Sequence, residues 1–236
     1  MKNCLYIIAL LIIAQFSFGQ KKYYGQNFSL ISKAYSDAKN FSSEVMVYSY
    51  KDRDQQKGDL LGVGIIRKSE KKYYSRFLGE VLIANDHCAV MIDSLDRQIT
   101  YFGEARGQIR DPFSMDKIDS LMRRQDSVVD KGIQDGLQHY VFYNRKGVIV
   151  RVDMYVNVKD NFIKRLTYYY GTANKNENYD MYKMDIFYNN IRLDKVNDSY
   201  FSEKGVVSYK NGTPYLQNAY HSYKLKIADK YQPPKQ

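Results

Sequence analysis

The alternation of apolar and polar residues along the chain predicts a mostly β fold that begins with one helix. Apolar residues recur at helical spacing from Phe28 to Ala38 with polar residues between them, which predicts an amphipathic helix over residues 26–39. The period then changes to two, which is typical of strands. Successive strands are predicted near residues 44–48, 60–68, 71–78, 80–86, 88–93, 97–102, 138–144, 148–157, 161–170 and 180–188.

Polar segments interrupt this series of strands. Between Asp111 and Gly136 the strand pattern disappears, and the spacing of apolar residues predicts a second helix from Ser114 to about Gln125, with Ser114 as its N-cap. The segment from Asp126 to Gly136 is polar, and we predict that it is mobile. Residues 171–178 are predicted as a polar loop, and the proline-containing end of the chain as a disordered tail.

One predicted strand indicates how the two faces of the sheet differ. Its odd and even positions separate into an apolar set (Val148, Val150, Val152, Met154, Val156) and a mostly polar set (Ile149, Arg151, Asp153, Tyr155, Asn157). About ten strands would span roughly 45 Å, whereas a helix is about 10 Å wide, so a flat sheet would leave apolar surface uncovered. We therefore predict an α+β, mainly β fold: a curled antiparallel sheet, or incomplete barrel, of about ten strands around two or more helices. Such a sheet can leave an apolar cleft.

The N-terminal residues predict export from the cytoplasm. Lys2 precedes an apolar run from Leu5 to Ala14, and Ser17 and Gly19 fit the small positions of a signal-peptidase site. The apolar run is too short for a membrane anchor, which needs roughly 18 or more apolar residues. We predict a signal peptide over residues 1–19 and a single domain over residues 20–236, located in the periplasm or secreted, with no stable transmembrane segment after processing.

Charge and cysteine content narrow the choice of partners. The formal net charge is +10, but Lys and Arg are scattered among Asp and Glu, which is typical of a solvated surface. An anionic lipid or an acidic protein is a more plausible partner than nucleic acid, which exported proteins seldom meet. After removal of the signal peptide Cys88 is the only cysteine, so no intramolecular disulfide can form.

The sequence contains no pattern that predicts an enzyme, a metal site or a cofactor. His87 and Cys88 are adjacent, so in an extended segment their side chains leave on opposite faces and cannot act as base and nucleophile. The zinc-binding and phosphate-binding spacings are missing. Gly62 and Gly64 lie in a strand, where they predict a bend or the close approach of another element. The 24 tyrosines can line an apolar cleft, or they can fill a wide sheet.

The order of elements, together with two local segments, carries a resemblance to a known family. Residues 80–86 lead into residues 89–93 as strand, Asp-containing turn and strand, and residues 151–154 lead through a hairpin to residues 161–168. Over residues 26–202 the chain resembles the bacterial lipoprotein-carrier family, LolA-like and LolB-like. That resemblance implies an incomplete barrel lidded by helices, whose interior takes acyl chains. His87 stands where the family's turn usually has Gly, and no Trp follows, so no family site residue is transferred.

Two functions follow from this interpretation. The first is a periplasmic carrier or chaperone that binds a lipid or an acylated lipoprotein in an apolar cleft, with outer-membrane lipoprotein sorting as its specific role. The second is a non-enzymatic cell-envelope interaction domain without lipid, whose loops at residues 126–136 and 171–178 contact a protein partner. The predicted cleft residues are Val150, Val152, Met154, Val156, Leu166, Tyr168, Tyr182, Met184 and Ile186. If the cleft is open to water, Met154→Asp should keep the fold and lose binding of an apolar probe.

Overall fold

The computed structural model describes residues 27–103, 126–144, 147–171 and 181–228. Its first element, α1, is helical over residues 27–37. Phe28, Ile31 and Tyr35 are buried along one side of α1, whereas Leu30 and Lys33 are exposed. The amphipathic first helix is therefore confirmed. No helix in the described ranges is long and apolar enough to cross a membrane.

Strands make up most of the remaining described residues. They are β1 (Asn40–Tyr50), β2 (Asp59–Ser69), β3 (Lys72–Phe77), β4 (Glu80–Ala84), β5 (Ala89–Asp93), β6 (Gln98–Tyr101), β7 (Ser127–Gln134), β8 (Leu137–Tyr143), β9 (Ile149–Asn157), β10 (Ile163–Tyr170), β11 (Lys183–Arg192), β12 (Val207–Lys210), β13 (Thr213–Leu216) and β14 (Lys224–Ile227). Two short 3-10 helices, Asp198–Phe201 and Asn218–Tyr220, lie between the late strands.

Twelve strands form one curled, unclosed sheet in the order β14-β6-β5-β4-β3-β2-β1-β11-β10-β9-β8-β7. All neighbouring strands of this sheet pair antiparallel except β14 and β6, which pair parallel. β12 and β13 form a separate hairpin. The first meander, β1 to β6, joins the second, β7 to β11, through the pairing of β1 with β11. β1 is thus a central strand of the sheet.

The structure corrects the prediction in three places. The sheet has twelve strands where about ten were predicted, because β7 and β14 were missed. Residues 127–134, predicted as part of a mobile segment, form the edge strand β7, whose alternation is broken by a register shift between Asp130 and Ile133. The described ranges contain one α-helix where two or more were expected. The predicted helix from Ser114 to Gln125, the signal peptide, most of the 171–178 loop and the tail lie outside them.

The two faces of the sheet are covered by different parts of the chain. We call the face that α1 packs against the inner face. Ile66 packs against the cluster beneath α1 and pairs with Ser75, which in turn pairs with Leu82. Because paired residues share a face and neighbours along a strand alternate, Ile83 points to the opposite, outer face.

A second apolar cluster therefore lies on the outer face, at the β3–β6 end of the sheet. The hairpin formed by β12 and β13 supplies Val206 and Val207 to this cluster. Its buried members are Ile83, Cys88, Val90, Ile92, Ile99, Tyr101, Val206 and Val207. Within the described residues, the sheet therefore has an inner cluster on β1 and β8 to β11 and an outer cluster on β4 to β6, whereas the sequence predicted a single apolar face.

The two glycines of β2 allow a close approach, as predicted. A Cβ on Gly64 would lie 2.5 Å from the carbonyl oxygen of Arg76 and 2.7 Å from the Phe77 ring. A Cβ on Gly62 would lie 2.6 Å from a methyl carbon of Leu78. Because these positions lack side chains, Phe77 lies across β2 and packs against the cluster beneath α1.

Candidate functional site

The inner face brings together most of the residues predicted to line a cleft. Register pairs Met154 with Leu166 and Leu166 with Ile186, and it pairs Val152 with Tyr168 and Tyr168 with Met184. These six residues therefore lie in two adjacent rows across β9, β10 and β11 and share one face, as predicted.

Burial divides these residues into two groups. Val152, Met154 and Val156 are 2–3% exposed and belong to the cluster that α1 covers. The second group, which we call the inner strip, is only partly buried and packs against the edge of that cluster. It consists of Leu166, Tyr168, Met184 and Ile186. The inner strip is therefore the partly exposed portion of the predicted cleft residues.

Two predicted cleft positions differ from this arrangement. The register of β9 and β10 shifts so that Tyr170 pairs with Ile149, and Ile149 packs against the inner cluster. The prediction that Val148, Val150 and Val152 all point to one face therefore fails at this β-bulge, where Ile149 takes a place on the inner face. Val148 is half exposed. Tyr182 precedes β11 and packs edge-to-face on Tyr169, which belongs to the outer face. Val150 lies beside Gly171, near the same end of the sheet.

Two tyrosines of the inner face, Tyr168 and Tyr188, are held in the neutral form by burial. Burial raises the pKa of Tyr168, and it raises the pKa of Tyr188 well above the usual range. The hydroxyl of Tyr35 accepts a hydrogen bond from the backbone N–H of Ile163, at 3.2 Å. Lys68 donates to the carbonyl oxygen of Tyr35 near the C-terminal end of α1, at 2.7 Å, where the helix dipole favours a cation. The inner strip thus presents uncharged, largely apolar side chains.

The outer face of the same three strands carries a polar and aromatic network that the sequence analysis did not single out as a site. Three rows cross β9, β10 and β11, and we call their nine residues the outer grid. The rows are Tyr155–Arg165–Phe187, Asp153–Thr167–Asp185 and Arg151–Tyr169–Lys183. Cations and aromatic rings alternate in the two outer rows, and the carboxylates lie in the row between them.

Asp153 is 1% exposed although it lies on the polar side of β9. Arg151 donates to both of its carboxylate oxygens, from Nε at 2.5 Å and from a terminal nitrogen at 2.6 Å. His139 Nε2 lies 3.1 Å from the same carboxylate, and the His139 ring stacks on Tyr155 at 4.3 Å. The hydrogen bonds with Asp153 raise the pKa of Arg151 further above its already high range.

Asp185 is the second buried carboxylate of the outer grid. It accepts a hydrogen bond from Thr167 Oγ1 at 2.5 Å, and Lys183 Nζ lies 3.4 Å from its other oxygen. Lys183 Nζ also lies 3.6 Å from the centroid of the Tyr50 ring. Burial, and then the hydrogen bond with Asp185, raise the pKa of Tyr50. Both carboxylates are therefore fully partnered, which removes most of the cost of burying them.

A repeated pattern in the sequence is the signal that could have indicated the outer grid. Arg151, Asp153 and Tyr155 are spaced two apart on β9, and Lys183, Asp185 and Phe187 repeat the same cation, acid and aromatic order on β11. β10 runs antiparallel between them with Arg165, Thr167 and Tyr169, which sets cations opposite aromatic rings. Recognising this required the order of strands in the sheet, which the sequence alone did not provide.

The arrangement offers no catalytic geometry at the residues that were considered for it. His87 is exposed and Cys88 is buried, so their side chains separate as predicted. The backbone N–H groups of both donate to Asn85 Oδ1. Burial, partly offset by a hydrogen bond with Tyr209, raises the pKa of the Cys88 thiol to about 11. Within the described residues, no three His, Cys, Asp or Glu side chains are placed to hold a metal ion.

Comparisons with known proteins give matches at the level of structure. No family model matches the sequence, and no curated protein matches it. An uncharacterized conserved protein from Thermus thermophilus matches 87% of this chain and 99% of its own, with 8% identity and a TM-score of 0.49. The lipoprotein LppX from Mycobacterium tuberculosis matches 73% of this chain and 98% of its own, with 11% identity and a TM-score of 0.36.

A LolA superfamily protein from Nitrosomonas europaea matches 74% of this chain and 96% of its own, with 10% identity and a TM-score of 0.30. Likenesses with TM-scores of 0.30 to 0.49 assign no ligand, partner or activity to this chain. The structures that it is similar to include the LolA superfamily, the family that the order of elements in its sequence resembles.

Proposed function

We propose that the protein is a non-enzymatic carrier or chaperone that holds the acyl chain of a lipid or lipoprotein against the inner strip. The observation that carries the proposal is a patch of partly buried, uncharged side chains beside a buried apolar cluster. The patch consists of Leu166, Tyr168, Met184 and Ile186. A ligand that covers this strip extends the core beneath α1 and removes further apolar surface from water.

The energetics of burial suit an acyl chain. Apolar surface removed from water contributes about 25 cal/mol per Å², and an acyl chain gains about 0.8 kcal/mol for each buried methylene. Met184 is unbranched and polarizable, so it can adapt to chains of different shape. Tyr168 offers a ring face to the chain and a neutral hydroxyl to water or to a polar group of the ligand.

The cellular setting of this proposal is the periplasm. Residues 1–19 have the three zones of a cleaved signal peptide, so the exported protein is expected to begin at Gln20. Sorting of outer-membrane lipoproteins is the specific role that we propose, because it requires a periplasmic protein that shelters acyl chains from water.

The proposal is tested with protein purified from the periplasm, by native mass spectrometry and lipid extraction. We expect a bound acyl lipid and a chain whose mass begins at Gln20. Met184→Asp places a charge on the inner strip, where partial exposure keeps the carboxylate hydrated, so we expect a folded protein without lipid. Leu95→Asp is the control, because Leu95 is 81% exposed in a turn and the same charge there should leave lipid binding unchanged.

Two outcomes would contradict the carrier function: repeated purification without lipid, or equal loss of lipid in both variants. Met154→Asp is not a suitable test, although the sequence pattern suggested it. Met154 is 3% exposed within the cluster that α1 covers, so an unpaired charge there is expected to cost several kcal/mol and unfold the protein.

A further inference from the structure

The charges of the outer grid leave one cation without a counter-ion. Asp153 is neutralised by the two hydrogen bonds from Arg151, and Asp185 has Lys183 at 3.4 Å. Two carboxylates are thus matched by two cations. Arg165, in the row of Tyr155 and Phe187, makes no ion pair within the described part of the chain.

Arg165 is held in place by aromatic rings. Its guanidinium carbon lies 3.7 Å from the centroid of the Tyr155 ring and 5.8 Å from that of Phe187. Its Nε is buried and has no hydrogen-bond partner among the described residues. A stacked guanidinium retains in-plane N–H donors that match the two oxygens of a carboxylate. Fixing the side chain on a ring also lowers the entropy cost of binding, since fewer rotamers are lost.

The row that contains Arg165 continues into exposed apolar surface. Phe187 pairs with Met46, and Met46 pairs with Val63, which is 57% exposed. In the adjacent row, Leu60 of β2 is 52% exposed. Arg165 and Val63 lie on strands three spacings apart, which is roughly 14 Å at about 4.8 Å per spacing.

We propose that the outer face binds a short acidic segment of a protein partner, with a carboxylate on Arg165 and apolar side chains on Val63 and Leu60. The separation of about 14 Å corresponds to about four residues of an extended segment at roughly 3.4 Å per residue. The site lies on the opposite face of the sheet from the inner strip and does not depend on lipid binding.

Charge and size favour such a segment over a second copy of the chain. Two copies, each with a formal net charge of +10, repel one another, whereas an acidic segment is attracted. The surface from Arg165 to Val63 is roughly 14 Å long. That length suits a short segment better than a folded partner, since each partner contributes about 800 Å² to a standard interface.

The grid's other cations argue against a membrane surface as the occupant. A lipid surface attracts cations that project freely into solvent. Arg151 is instead fixed on Asp153, and Lys183 is turned over the Tyr50 ring. The outer grid therefore offers a single available guanidinium beside apolar side chains. Such a site is expected to bind one carboxylate of a peptide more strongly than an anionic membrane surface.

The test uses fluorescence anisotropy with a labelled ten-residue peptide that carries glutamate and leucine four positions apart. We expect saturable binding that weakens with added salt, and no binding of the same peptide with lysine in place of glutamate. Arg165→Met keeps a long side chain over Tyr155 and removes the charge, so we expect binding to weaken by about tenfold or more. Lys71→Met, an equal loss of charge at the exposed turn between β2 and β3, should bind as the unmodified protein does.

A second variant keeps the test valid if Arg165→Met fails to fold. Val63→Ser alters an exposed side chain and should weaken peptide binding by about threefold without changing the far-UV spectrum. Absence of saturable binding, or an equal loss in Lys71→Met, would overturn the proposal. It would also be overturned if phosphatidylglycerol vesicles, and not the acidic peptide, required Arg165, because that result would assign the surface to a membrane.

Discussion

The orientation of Asp153 could be predicted from the sequence, but its burial could not. Alternation in the sequence correctly placed it on the polar side of β9, together with Arg151 and Tyr155. Asp153 is buried by residues of neighbouring strands. His139 of β8 contacts its carboxylate, Thr167 of β10 is paired with it, and Tyr169 of β10 is paired with Arg151 next to it. Orientation is a local property of a strand and was predictable. Burial depends on residues that are distant in sequence, so it was not.

Cys88 gives a prediction at the same scale. It is fully buried, and its pKa is raised to about 11 from a usual value of 9.0. At pH 8 the thiolate fraction is therefore about a hundredfold lower than for an ordinary thiol. We expect iodoacetamide to label Cys88 at least that much more slowly in the folded protein than in urea, as measured by intact mass.

Leu95→Cys provides the control for this labelling, because that position is 81% exposed and should react quickly in the folded state. Rapid labelling of Cys88 under native conditions would contradict its burial. The raised pKa also has a consequence for stability. Since the folded state favours the neutral thiol, the contribution of Cys88 is complete below about pH 9 and is lost as the pH rises through about 11.

The elements themselves were predictable where the alternation is regular and long. α1 and ten of the strands follow directly from the 3.6- and 2-residue periods, and the register of β9, β10 and β11 agrees with the predicted shared face. β7 was missed because its bulge interrupts the alternation. β14 is as short as β6, which was predicted, but it joins the sheet by a parallel pairing with β6, a strand far away in the sequence. The outer grid also required knowledge of which strands are neighbours.

The substitution Gly132→Ala tests whether the bulge of β7 needs a residue with a left-handed backbone conformation. The φ of Gly132 is +85°, and a Cβ added there would meet nothing within 4 Å. The cost of Gly132→Ala is therefore conformational, and we expect about 1 kcal/mol of destabilisation in urea unfolding. Gly205 also has open space around a Cβ but no left-handed φ, so Gly205→Ala should be neutral or slightly stabilising. Equal effects of the two substitutions would rule out the bulge conformation of β7.

The molecule as a whole has two clusters that lie on opposite faces of one sheet. α1 covers the inner cluster, which spans β1 and β8 to β11, and the β12–β13 hairpin covers the outer cluster on β4 to β6. Separate clusters of this kind favour separate units of local opening. The sequence predicted one apolar face because the prediction rested on β9. The buried apolar residues of β9 belong to the inner cluster and give no information about the outer one.

Hydrogen exchange on two variants tests this division. Phe28→Ala removes an aromatic ring that α1 packs on the sheet and is expected to cost about 3 kcal/mol, with faster exchange mainly in β1 and β8 to β11. Val207→Ala is expected to cost about 2 kcal/mol, with faster exchange mainly in β3 to β6. Identical, uniform changes in all strands for both variants would mean that the sheet opens as a single unit.

The central position of β1 has a consequence for how the chain is made. Val45 pairs with Tyr188, so the two meanders cannot join until most of the polypeptide is available. Pairings between residues so distant in sequence form slowly, because a long loop must be closed before any contact is gained. A chain that is slow to complete its sheet remains unfolded for longer after synthesis. The same strand order that fixes the finished molecule therefore prevents the sheet from closing around β1 until β11 has been made.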